Sequence, residues 1–301
     1  MFSNATILKY TGNDLSITDD SLQKSAFIEC GATQEKSVGW VPPRGQQHDP
    51  LIAVLRGATF DHKILCLMIE TKRVPGEAIK RKVDEQCKAI EQSTGRKPGK
   101  KERREIMEDA RLSLLPMAFT SRKKVYVWIN RSAGYIVIDS TSQSVIDDVT
   151  YRLIGDSEDL SIMQMSTFKT PASLMTGWLG SGEGGVLFSI ERACELKAQD
   201  ETKAVVRYKN HPLDTPEVMD HIKAGKLPTK LALTFGDRVS FTLTENMQLK
   251  GITFLDVVFQ DKAAGNQDDV FDSEVFITTS ELDALIFALK VELGGEMPLY
   301  E

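Results

Sequence analysis

The sequence predicts an α+β fold: mixed, mostly antiparallel sheets with covering helices and a projecting helical hairpin. Three observations carry that expectation. Strand-period stretches are joined by short turns, as at Lys124–Asn130 and Tyr135–Asp139 around Ala133-Gly134. Two helix-period stripes follow one another around a Gly- and Pro-containing break at Gly95-Arg96-Lys97-Pro98-Gly99. Further strand candidates then precede a closing helix that carries Leu282, Leu285, Ile286, Leu289 and Leu293 on one face.

Taken in order, Ala5–Tyr10 and Phe27–Cys30 read as short strands. Val38-Gly39-Trp40-Val41-Pro42-Pro43 reads as a turn with an aromatic anchor, because two successive prolines cannot sit in a central strand. The apolar run Ile64–Ile69 predicts a buried strand. A helix over about Gly76–Ser93 carries Ile79, Val83, Cys87 and Ile90 on one stripe. A second, with Ile106, Met107, Ala110 and Leu114, is stopped by Pro116. In Lys124–Asn130, Val125, Val127 and Ile129 share one face, and Tyr126 and Trp128 the other. Val145–Ile154 reads as helix and Ile162–Met165 as a short strand. Thr170-Pro171 starts a helix that Gly180 ends, and Thr215-Pro216 starts one that Gly225 closes. Thr229–Phe235 and Arg238–Thr244 form a hairpin across Gly236-Asp237. Leu249–Phe259 continues the sheet and Glu274–Thr278 adds an edge. Thr278 and Glu281 then form a capping box for the last helix, stopped by Gly294-Gly295.

The 301 residues carry a net charge of −6, which argues against an anionic partner until its distribution is considered. Residues 71–124 hold 16 Lys and Arg against 8 Asp and Glu, a net of +8, which leaves −14 for the rest. Such a chain can present a positive inner face on an acidic body, although a solvated pair of charged helices would give the same count. No apolar run approaches the ~20 residues of a membrane span, and Met1–Tyr10 lacks a signal-peptide pattern, so a cytoplasmic location is expected. The scattered Cys30, Cys66, Cys87 and Cys194 read as free thiols rather than zinc ligands or disulfides, with no cofactor expected.

Gly180, Gly182 and Gly185 satisfy a dinucleotide-loop count, but a helix precedes them, so a connector is expected. Asp61 with Glu70 and Lys72 has the layout of a metal-dependent nuclease, in which two carboxylates hold a divalent ion and a lysine orients water. Solvated strand-end charges are the competing explanation. His48, His62, His211 and His221 are scattered and read as surface or structural residues. Two basic groups favour nucleic acid: Arg96, Lys97, Lys100, Lys101, Arg103 and Arg104 with Arg122, Lys123 and Lys124, and Arg207, Lys209, Lys223, Lys226 and Lys230. With no helix-turn-helix, zinc finger or aromatic-rich RNA-binding strand evident, contact would run through phosphates.

Several segments resemble the RdgC family of recombination-associated proteins. They are Gly39-Trp40-Val41-Pro42-Pro43, Ser113-Leu114-Leu115-Pro116 with Ala118-Phe119, His221-Ile222 with Ala224-Gly225-Lys226, Thr229–Leu233, and Leu293-Gly294-Gly295-Glu296. The resemblance implies a non-catalytic homodimer that closes a ring around double-stranded DNA without reading sequence. It also implies antagonism of RecA, assistance to replication and association with the nucleoid. It implies a central region at 1–75 and 119–168, a helical tip at 76–118 and a base at 169–301. Arg96, Lys97, Lys100, Lys101, Arg122, Lys123, Lys209 and Lys226 would contact DNA. Phe119 would meet its symmetry mate, although an ordinary core role after Pro116 also fits. Met117 and Asn210 replace basic residues of the family pattern. A metal-dependent nuclease and a protein-interaction module without DNA binding remain as alternatives.

Overall fold

The computed structural model describes residues 1–13, 16–46, 48–56, 61–260 and 267–298, and the side chains of residues 56, 61 and 267–269 lie outside that set. Twelve strands form one sheet, and every pairing between them is antiparallel among the described residues. The N-terminal strands are β1 (Asn4–Gly12), β2 (Lys36–Val41), β3 (Ile52–Arg56), β4 (Asp61–Lys72), β5 (Thr120–Asn130), β6 (Tyr135–Ile138) and β7 (Leu160–Gln164). The C-terminal strands are β8 (Phe188–Ala198), β9 (Val205–Lys209), β10 (Lys226–Phe235), β11 (Val239–Thr244) and β12 (Gln248–Phe254). Their order is β2-β4-β5-β6-β1-β12-β11-β10-β8-β9, with β3 also on β4 and β7 also on β1. The two halves meet where Asn4–Thr6 of β1 pair with Gln248–Lys250 of β12.

Strand alternation gives the N-terminal half two buried faces. On one, Leu65, Leu67, Val127, Ile129 and Ile136 pack with Ile146, Val149 and Leu153 of helix α4 (Gln143–Gly155) and Leu22 of α1 (Asp19–Gln23). On the other, Ile64, Trp128 and Val137 join a larger core with β8–β12 and with α5 (Pro171–Ser181), α6 (Pro216–Lys223) and α7 (Gln267–Glu292). Helix α7 contributes Val275, Leu282, Leu285, Ile286 and Leu289. Its Asp283 accepts hydrogen bonds from the Tyr135 hydroxyl and, at 2.9 Å, from Asn130 Nδ2. Burial and the facing carboxylate push the Tyr135 phenol well above its ordinary value, so it remains a donor.

Between β4 and β5 the chain leaves the body as the expected hairpin, α2 (Gly76–Thr94) and α3 (Lys100–Leu114). Gly95 takes φ +71°, the left-handed conformation that ends α2 without a Cβ penalty. A short 3-10 turn, Leu115–Met117, returns the chain to β5. The Gly236-Asp237 turn has φ +53° and +54°, as a two-residue hairpin requires.

Several sequence expectations are corrected. Glu274–Thr278 is not an edge strand: it lies inside α7, where Val275 is core and the Thr278 hydroxyl donates to the Glu274 carbonyl at 2.7 Å. Thr278 and Glu281 therefore form no capping box; Glu281 instead pairs with Arg238 at 2.6 Å. Tertiary burial overrides the β-branched character of this stretch. Phe27–Cys30 is irregular, although Phe27 N–H donates to the Trp40 carbonyl at 2.9 Å. Gly39, Trp40 and Val41 belong to β2, which stops before Pro42; Trp40 is the expected anchor, buried with its indole N–H on Asp156. Helix α5 ends at Gly182, φ +75°, rather than at Gly180. Gly184 is held close to β8, since a Cβ there would meet the Phe188 carbonyl oxygen at 2.1 Å. Strand β12 ends at Phe254, and a 3-10 turn covers Asp256–Phe259.

Candidate nucleic-acid interface

The cations of the hairpin divide by their partners. Arg96 bonds Glu102 at 2.8 Å, Arg103 bonds Asp84 at 3.1 Å and Arg111 bonds Glu35 at 2.6 Å. Lys97 and Arg104 make looser pairs with Glu91 and Glu108, at 3.8 and 3.9 Å. Lys100 and Lys101, in the first turn of α3, are exposed and carry no ion pair among the described residues. Cations at a helix N-terminus oppose its dipole, so these two are placed at some cost to the helix.

The ends of β4 and β5 extend beyond the body to carry the hairpin, and Thr120–Lys124 is exposed along its length. Alternation divides the basic run there: Arg122 and Lys124 share the face of Tyr126 and Trp128, while Lys123 takes the other. The β4–β5 register sets Glu70 opposite Arg122 and Lys72 opposite Thr120. Arg122 Nε donates to Glu70 at 2.7 Å, and its Nη2 donates to Glu29. Glu70 also accepts from the Cys30 backbone N–H at 2.6 Å. That backbone bond first, and the Arg122 bond second, hold the Glu70 carboxyl below the usual carboxylate range.

This arrangement does not assemble the nuclease layout. Asp61 and Glu70 stand nine positions apart on one continuous strand, a rise of about 30 Å. The Asp61 side chain itself lies outside the described residues. Glu70 is committed to Arg122 and Cys30, and Lys72 donates to the Gly31 carbonyl at 2.8 Å. Among the described residues, no cluster of three His, Cys, Asp or Glu side chains forms a metal-binding group. His62 is structural: it is buried and accepts from the Trp128 indole N–H at 2.6 Å.

Lys209 and Lys226 are not adjacent. Lys226 Nζ lies 2.9 Å from His221 Nδ1 on the α6 side, where His221 and His211 flank the buried Tyr208 ring. One position beyond Tyr208, alternation turns Lys209 to the opposite face of β9. Asn210 takes φ +53°, a left-handed conformation that asparagine tolerates better than lysine. Arg207 and Lys230 share the single Glu195 carboxylate, at 2.6 and 2.9 Å. At the root of the hairpin, Phe119 is 94% exposed and Met117 71% exposed, so Phe119 is not a core residue.

The sequence places Arg122, Lys123 and Lys124 in one basic run, with Arg122 and Lys123 expected on DNA. Alternation in β5 was the available signal that Lys124 is the same-face neighbour. The Glu29 and Glu70 contacts carry no local signal, because they follow from strand register and from an irregular loop.

Among the described residues, no helix is long and apolar enough to cross a membrane. A family model described as "Putative exonuclease, RdgC" matches residues 1–296. Proteins described as "Recombination-associated protein RdgC" are similar along nearly their whole lengths. That of Dechloromonas aromatica is 35% identical over 289 residues, covering 94% of this chain and 93% of its own. That of Herminiimonas arsenicoxydans is 35% identical over 281 residues, covering 92% and 91%. That of Bordetella pertussis is 34% identical over 280 residues, covering 92% of each. With its whole sheet, its hairpin and its closing helix inside the matched span, the chain belongs to the RdgC family of recombination-associated proteins.

Proposed function

We propose that the protein binds double-stranded DNA without reading its sequence, as a ring-closing homodimer that restrains RecA-dependent recombination and assists replication at the nucleoid. The observation that carries this reading is the placement of charge. An excess of +8 over residues 71–124 is concentrated on an arm projecting from an otherwise acidic chain. Affinity then comes from counterion release as Lys and Arg neutralise phosphates. Lys100, Lys101, Arg96 and Lys97 supply contacts at the hairpin loop, Arg122 at its root, and Lys209 and Lys226 on the base; Lys123, on the opposite face of β5 from Arg122, meets phosphate only from the other side of that strand.

Ring closure in this reading uses two apolar surfaces. Phe119 and Met117 give the tip, residues 76–118 with their root, an exposed anchor for a symmetry mate. On the base, residues 169–301, the outer face of α7 exposes Phe276, Phe287 and Val291. Residues 1–75 and 119–168 form the central region between them. Met117, where the family pattern has arginine, gives up a charge and enlarges the apolar anchor.

Binding to linear and to covalently closed circular duplex, each across a salt series, tests the reading. We expect similar affinity for unrelated sequences, a steep loss with salt, and slower dissociation from closed circles than from linear duplex. Flat salt dependence rejects the phosphate mechanism, and absence of binding at low salt favours a protein-interaction module. Plasmid cleavage in Mg²⁺ or Mn²⁺ that disappears in Glu70→Ala overturns the non-catalytic reading.

A further inference from the structure

Residues that the sequence divided between a metal site and a basic run meet on one face of the arm. Glu70, Lys72, Arg122 and Lys124 share the side of β4–β5 that continues outward from Ile64 and Trp128. The Arg122 guanidinium is held there in a fixed orientation. Glu70, 1% exposed, accepts from its Nε, and the Phe27 ring covers it at 5.7 Å to the centroid. Glu70 is anchored in turn by the Cys30 N–H. Glu29, 72% exposed, accepts from Nη2. The two carboxylates are therefore unequal, one built into the sheet and one standing in solvent.

We propose that Lys72, Arg122 and Lys124 form a phosphate-binding ladder, with Glu70 as the positioning residue for Arg122 and Glu29 as a placeholder that a DNA phosphodiester displaces. The inference rests on the DNA-binding reading and extends it. A phosphodiester offers Nη2 the same acceptor oxygens as Glu29, and guanidinium geometry suits both. Lys72 donates to a carbonyl, and Lys124, beside Gly45, has no ion pair among the described residues. Once Glu29 rotates away, three cations face one buried carboxylate, and the face gains net positive charge.

The experiment is anisotropy of a labelled mixed-sequence duplex with the full-length protein, across a salt series. Lys72→Ala and Lys124→Ala are each expected to reduce the slope of log affinity against log salt by about 0.9. Lys24→Ala, an exposed lysine at the end of α1, leaves it unchanged. Glu29→Gln tightens binding about threefold to tenfold at low salt, because a competing carboxylate is removed. Glu70→Gln weakens binding as much as Arg122→Ala does, and the double variant loses no more than either single one. Glu29→Gln with unchanged or weaker binding overturns the placeholder, and additive losses at Glu70 and Arg122 overturn the positioning role. If Glu70→Gln fails to fold by circular dichroism, the Glu29, Lys72 and Lys124 variants decide. Wild-type protein that binds no duplex at any salt rejects the DNA reading itself. Wild-type binding with unchanged slopes in both lysine variants rejects the ladder alone.

Discussion

In the body, Trp128, Tyr135, Leu231, Leu249 and Leu285 are wholly or almost wholly buried, in a core that runs from β4 to α7. Along α2 and α3, Val83 and Ala110 are the buried residues among those described, while Ile79, Cys87, Ile90, Ile106 and Leu114 are half-buried and Met107 is exposed. The arm thus keeps its shape with a thin apolar seam and a surface of paired and unpaired charges. The body does so by burying apolar area on both faces of a sheet. Charge follows the same division, net positive from residue 71 to 124 and net negative elsewhere. The difference teaches that stability and the proposed binding are assigned to separate regions, so substitutions in each should report on different measurements.

The largest expected effect is in the body. Leu285→Ala should cost about 2–5 kcal/mol in urea unfolding, with DNA affinity of the folded fraction retained. A cost under 1 kcal/mol would break the contrast. In the arm, the double variant Lys100→Ala with Lys101→Ala should leave the urea midpoint within about 0.5 kcal/mol of wild type. Its salt slope for duplex binding should fall by about 1.8, two phosphate contacts. Phe119→Asp should weaken self-association in sedimentation while far-ultraviolet circular dichroism is unchanged. Unaltered association removes Phe119 from the tip contact. Val83→Ala should cost about 1–2 kcal/mol locally, read as faster amide exchange confined to α2 and α3.

The smallest effect concerns pH. Burial opposes ionisation of Glu195, but Arg207, Lys230 and Thr229 hold its carboxyl down to about 2. A depressed folded value means that the contribution is complete above about pH 4.5 and is lost as pH falls toward 2. Glu195→Gln should therefore flatten the acid limb of the stability curve and leave the neutral region nearly parallel to wild type.

Legibility in the sequence tracked the range of the interaction. The spacing of Ile79, Val83 and Cys87 located α2 almost to its ends, whereas the alternation of Val125, Val127 and Ile129 located β5 only from Lys124, short of its exposed start at Thr120. Local periods report which face is apolar. Strand β8 escaped notice because its outer face carries Glu191, Arg192, Glu195 and Lys197, with Phe188, Cys194 and Leu196 buried. The stretch Val275-Phe276-Ile277 resembled a strand, and only its packing against the sheet makes it helical. At the candidate interface the residue types were readable, but which cations are neutralised was not. Arg111 meets Glu35 and Arg122 meets Glu29 and Glu70 across wide sequence separations.

By itself the sequence determined the family, the α+β class, the helical hairpin and the location of the positive excess, since each is written in local order, spacing or composition. Tertiary structure alone decided that one sheet unites both halves, that Glu70 is bound to Arg122 rather than set with Asp61 around a metal ion, and that Arg111 and Arg122 find their carboxylate partners in distant segments. Those outcomes depend on strand register, and register is set by the burial of whole faces at once, which no short window of residues contains.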